Sequence, residues 1–125
     1  MPKASKESAS KVEDMGVMIG RYEDLGGYTV GFETFREDAD AAPLMKGLPD
    51  DRCQSPHWGY VVSGKVTFTF ADRVEVYEAG DAYYAEAGHT PAVTAGTEVI
   101  EFSPTEEYGR TIEVVGKNLA ALQSA

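Results

Sequence analysis

Between residues 58 and 115 the chain is cut into short runs in which apolar and polar residues alternate, each closed by glycine, proline or aspartate. A run of this kind can bury only one face. A series of them at regular spacing therefore folds as an antiparallel sandwich or closed barrel. The clearest run is 65–70, where Val66, Phe68 and Phe70 alternate with Lys65, Thr67 and Thr69. Residues 58–63, 74–78, 82–85, 92–94, 98–102 and 111–115 read the same way, with turns at Ala71-Asp72-Arg73 and Ala79-Gly80-Asp81. Upstream, 16–19 and 28–35 form a hairpin around the acidic, glycine-bearing turn at 23–27.

The remaining segments have no strand period. Residues 37–51 mix Asp, Ala, Pro and Gly and read as a long covering loop with one helical turn near Leu44. Ser103, Pro104 and Glu106 have the order of a helix N-cap, first position and capping glutamate, which predicts a single turn there. Asn118 would cap a short C-terminal helix over 118–122. Residues 1–12 are polar, lack the apolar core of a secretory signal, and read as a flexible tail before a single domain over 13–125.

Charge and composition exclude some partners. A net charge of −10 leaves no lysine or arginine stripe for nucleic acid. No apolar run is long enough to span a bilayer, so no membrane partner is expected. One cysteine closes no intrachain disulfide, which fits a reducing, cytoplasmic setting.

The residue types best suited to chemistry are concentrated. The one cysteine and both histidines, Cys53, His57 and His89, fall between residues 51 and 91. Side chains two or four apart on a strand share a face, so Cys53 and His57 would point the same way, and His89 has the parity of Pro91. A bulge between Glu86 and Pro91 would break that register. Were the three to meet, a thiolate and two imidazoles would suit a tetrahedral divalent ion, zinc above harder ions. Tyr83 and Tyr84 lie on opposite faces of one strand, so one of them reaches the interior. Trp58, with parity opposite to His57, belongs to the outer face. Glu86 and Glu101 are candidates for an oxygen ligand or a proton-transfer group. A lone cysteine also serves as a small buried hydrophobe, and a loop histidine can simply be exposed.

The spacing resembles the cupin family of jelly-roll barrels. The family's first motif has two histidines one residue apart, then three or four residues, a glutamate, six residues and a glycine. Gly64 matches the glycine, which places His57 at the glutamate, Cys53 at the second histidine and Asp51 at the first. In the second motif Gly80 and Gly88 keep the frame, while Glu86 replaces the proline and Pro91 the histidine. None of the four usual ligands is retained, which disfavours iron-oxygenase chemistry. The resemblance covers residues 28–115, and the 15 residues between Gly64 and Gly80 are similar to those of compact single-domain members.

The resemblance implies an all-β, antiparallel jelly-roll barrel with a short C-terminal helix, and a homodimer paired through the N-terminal strand or the hairpin edge. It implies a small molecule bound inside; the residues themselves give the candidate pocket, His57, His89 and Tyr83, and the candidate ligands of a divalent metal, Cys53, His57 and His89. Lewis-acid or activated-water chemistry would follow if the protein is an enzyme, which the sequence leaves open. The alternative is a metal-free module that binds or senses a small ligand.

Overall fold

A computed structural model describes residues 2–123. Ten strands are followed by one helix: β1 Lys11–Asp14, β2 Met18–Leu25, β3 Tyr28–Phe35, β4 Ala39–Asp40, β5 His57–Ser63, β6 Lys65–Thr69, β7 Val74–Glu78, β8 Ala82–Ala85, β9 Thr90–Val93, β10 Glu98–Pro104 and α1 Thr105–Gln123. They form a six-stranded sheet in the order β1-β2-β3-β10-β5-β8 and a four-stranded sheet in the order β4-β9-β6-β7. Every pairing between named strands is antiparallel.

Alternation places the side chains. On β6, Val66 and Phe68 are buried and Lys65 and Thr69 exposed, as the pattern required. On β8, Tyr83 turns inward and Tyr84 is 52% exposed. Val61, Val66, Phe68, Phe70, Tyr83, Ala85 and Val99 form the core between the sheets. Burying Phe68 alone stabilises the fold by about 2–3 kcal/mol. The β2–β3 hairpin closes on Gly26 and Gly27, both with positive φ (58° and 85°), as a tight two-residue turn between right-twisted strands requires.

Several expectations need correction. Residues 111–115 are helical, and the turn expected after Pro104 merges with the helix expected at 118–122 into α1. The β-branched cluster Thr111, Ile112, Val114 and Val115 imitates a strand, and Gly109 and Gly116 each weaken helix propensity by ~1 kcal/mol relative to alanine. Tertiary packing overrides both signals. Tyr108, Ile112, Val115, Leu119 and Leu122 recur at helical spacing and line one cavity. Ser103, read as an N-cap, lies within β10 and turns its hydroxyl inward.

The loop over 37–51 contains a 3-10 turn at Ala42–Met45, where the helical turn was expected. Asn118 caps nothing. Its Nδ2 donates to the carbonyls of Leu44 and Lys46, both at 2.8 Å, and so fastens α1 to this loop. Loop and helix together roof one end of the barrel. Strand pairing already begins at Lys11, and Lys6 approaches Glu98 at 3.4 Å.

Candidate metal centre

Cys53, His57 and His89 converge inside the barrel. One potential ligand atom from each lies within 4.8 Å of the others, and all three residues are buried. The sequence placed them together by strand parity, but the backbone does it differently. Cys53 lies outside β5 and forms an isolated bridge with His89, its N–H donating to the His89 carbonyl at 2.8 Å while Gly88 donates to the Cys53 carbonyl at 2.7 Å. This bridge joins the segments before β5 and before β9. His57 enters from the first residue of β5.

Hydrogen bonds orient both rings. His89 donates from Nδ1 to the Glu86 carbonyl at 2.7 Å, so Nε2 carries the lone pair. That Nε2 is buried and, among the described residues, has no hydrogen-bond partner. His57 Nδ1 lies 2.7 Å from Ser103 Oγ and 3.4 Å from Glu101 Oε1, which turns its Nε2 toward Cys53 Sγ at 3.6 Å. Thr111 Oγ1, from α1, also lies 3.6 Å from the sulfur. Metal-binding histidines are commonly fixed in this way through the nitrogen that does not ligate.

Burial dominates the electrostatics. It lowers His57 to about 4, and together with the neighbouring His57 it lowers His89 to about 4. Both rings are therefore neutral at neutral pH and have lone pairs to offer. Burial raises the Cys53 thiol, opposed by hydrogen bonds to Thr111 and to the Ser55 backbone. The donor set fits a divalent ion, because neutral imidazole and a thiol that ionises on binding are the ligands that borderline-soft zinc prefers.

Tyr83 and Glu101, both singled out in the sequence, belong to a second group whose other members, Tyr22, Glu33 and two glycines, were not. Across five adjacent strands the six-stranded sheet presents Tyr22, Gly31, Glu101, Gly59 and Tyr83 in one row, with Glu101 at its centre. The glycines make the row possible. A Cβ on Gly31 would approach Tyr22 Cε1 to 2.9 Å, and one on Gly59 would overlap the Tyr83 ring. Tyr83 donates to Glu101, and Tyr22 donates to Glu33 at 2.7 Å. Burial raises both carboxyls to about 7, with the charge of Glu101 adding to the effect on Glu33. The available signal was glycine inside two strands, which marks close approach of another group. Of the two candidate glutamates, only Glu101 faces inward. The side chain of Glu86 pairs with Arg73 at 2.5 Å.

Tyr22, Glu33, Glu101 and Tyr83 line a cavity of about 840 Å³ that α1 also lines and that receives His57 and His89. No protein-family model matches the sequence, and no curated protein matches it. Solved structures do. An RmlC-like cupin from Shewanella frigidimarina is 19% identical, with 81% of this chain and 88% of that one covered, at a TM-score of 0.54. This chain has the cupin fold. The polyketide cyclase RemF from Streptomyces resistomycificus is 14% identical over 83% of this chain and 80% of that one, at a TM-score of 0.55. A protein of unknown function from Rhizobium leguminosarum is 15% identical over 82% and 95%, at a TM-score of 0.58.

Among the described residues, no helix is long and apolar enough to cross a membrane.

Proposed function

We propose that this cupin binds a small molecule in its barrel interior beside a divalent metal, zinc first, held by Cys53, His57 and His89. One observation carries the reading: the Nε2 of His89 is buried without a partner among the described residues, in a residue that brings a ligand atom within 4.8 Å of ligand atoms of Cys53 and His57. An unsatisfied buried nitrogen costs about 1–3 kcal/mol, and a metal ion would remove that cost. Three protein ligands leave a coordination position for the small molecule, and a zinc ion there would supply Lewis acidity toward one of its oxygens.

The chain's own groups supply the rest. Tyr83 holds Glu101 on the cavity wall, 3.4 Å from the His57 ring, where a carboxyl group can take up or release a proton. Catalysis by this arrangement is a further step of the proposal, read by a screen for turnover. The setting proposed is the cytoplasm, without nucleic-acid or membrane partners. The partner proposed is a second copy of the chain.

A metal-free binding module is the second reading. The 3.6 Å approaches of His57 Nε2 and Thr111 Oγ1 to Cys53 favour it, because they give the thiol partners without an ion. Elemental analysis of untagged protein, with thermal unfolding before and after zinc is added to chelated samples, separates the two. Near-stoichiometric metal and a higher Tm, both lost in Cys53→Ala and His89→Ala, support the metal site. Less than about a tenth of an equivalent, with Tm unmoved by zinc, supports the metal-free module.

A further inference from the structure

The cavity lining restricts the chemistry of what can enter. Its volume of about 840 Å³ is within the range of sites for drug-sized molecules. Much of the wall is hydrocarbon, including Met18, Phe35, Leu44, Ile112, Val115 and Leu119. The polar groups cluster together. Glu101, bonded by the Tyr83 hydroxyl, lies 3.4 Å from the His57 ring, and Glu33, bonded by the Tyr22 hydroxyl, lines the same cavity.

Cations are nearly absent. Among the described lining residues Lys11 is the one cationic side chain, and its Nζ lies 3.2 Å from Glu13, which also lines the cavity. An anion moving in would give up water for a poorly polarisable space with carboxyl groups and no free counter-charge. A hydroxyl would instead find acceptor oxygens. His89 is in the same lining, and its Nε2 is buried with no hydrogen-bond partner among the described residues.

We propose that, with no ion on Cys53, His57 and His89, the cavity's own groups select an uncharged, mainly apolar molecule that presents a hydroxyl to Glu33 and Glu101, and reject carboxylate- or phosphate-bearing molecules of similar size; a bound divalent ion would add the counter-charge that the side chains lack. This inference rests on the interior being a ligand site. Sites built to hydrogen-bond a hydroxyl discriminate strongly, because an unsuitable ligand leaves their buried polar groups unpaired.

The test uses chelator-treated, full-length protein at pH 8 and three probes: naphthalene, 2-naphthol and 2-naphthoate. Binding is followed by calorimetry or probe fluorescence. Naphthol should bind at least about tenfold more tightly than naphthoate, a gap of about 1.4 kcal/mol. In the double variant E33Q/E101Q that ratio should fall at least about threefold while naphthalene affinity stays within about twofold, which shows an intact cavity. Equal binding of naphthol and naphthoate, or a ratio unchanged in the variant, overturns the selectivity while leaving the interior site standing. Failure of all three probes to bind the wild-type protein overturns both the inference and the interior site. Should the variant not fold, Tyr22→Phe and Tyr83→Phe, each leaving its carboxyl an unpaired acceptor for a ligand hydroxyl, should widen the naphthol-to-naphthoate ratio; a ratio that stays put overturns the inference.

Discussion

Ser103 Oγ lies 2.7 Å from Nδ1 of His57, and this contact turns the opposite ring nitrogen toward the sulfur of Cys53. With Ser103 accepting from Nδ1–H, Nε2 presents its lone pair to the cluster. Ser103→Ala should lower zinc affinity by about 10–100-fold while changing Tm of the chelated protein much less. Competition with a chromophoric chelator measures it. Unchanged affinity would remove Ser103 from the centre.

Gly59 and Tyr83 form a steric pair. Gly59→Ala should destabilise the protein by about 1–3 kcal/mol, because the added methyl must displace a buried ring. In a Tyr83→Ala background the same methyl has space, so the double-mutant cycle should give a coupling of at least ~0.5 kcal/mol. Additive losses in denaturant unfolding would contradict this packing.

Glu33 makes stability depend on pH in a defined direction. Its carboxyl is raised from the ordinary 4.5 to about 7 through burial and the charge of Glu101, with the hydroxyl of Tyr22 bonded to it and Tyr108 nearby. A raised carboxyl stabilises the folded state while protonated, and that contribution is lost as pH rises from 4.5 through 7. Glu33→Gln removes the loss. The stability of this variant relative to wild type, both chelated, should therefore increase between pH 4.5 and 7 by at most about 3 kcal/mol and then level off. A flat or falling difference would show that Glu33 is not held protonated.

Asn118 ties the roof together through the Leu44 and Lys46 carbonyls. Asn118→Ala should cost about 1–3 kcal/mol and leave two acceptors short of a donor. The effect should be local, with faster amide exchange in α1 and in residues 42–48 and little change in β6 or β10. Uniform loss of protection would indicate that the roof and barrel unfold together.

The outer face of the large sheet carries Trp58 and Tyr84, 41% and 52% exposed, with ring centroids 5.0 Å apart and Tyr28 at 5.8 Å from Trp58. If a second copy covers this face, sedimentation should give a dimer for wild type and a folded monomer for Trp58→Glu. A wild-type monomer at working concentration removes the second copy from the proposal.

The strands from β5 to β8 were legible because period-two alternation and glycine-rich turns are local properties: Val66, Phe68 and Phe70 reveal their inward face without knowledge of any partner strand. The tyrosine pair on β8 was separable for the same reason. The meeting of Cys53 with His57 and His89 was anticipated, but through a register that the chain does not use; the Cys53–His89 bridge is a contact between distant segments, which parity cannot encode.

Helix α1 was hidden because Thr111, Ile112, Val114 and Val115 favour extended structure when taken alone, and only the hydrocarbon lining of the cavity rewards their helical arrangement. The row Tyr22, Gly31, Glu101, Gly59 and Tyr83 draws one residue from each of five strands, and apart from the β2–β3 hairpin its neighbours are distant in sequence. Sequence by itself determined which residues alternate and where the chain turns, since those depend on neighbours along the backbone. Tertiary structure decided which side chains share the interior, because register between strands is set by packing the whole sheet at once.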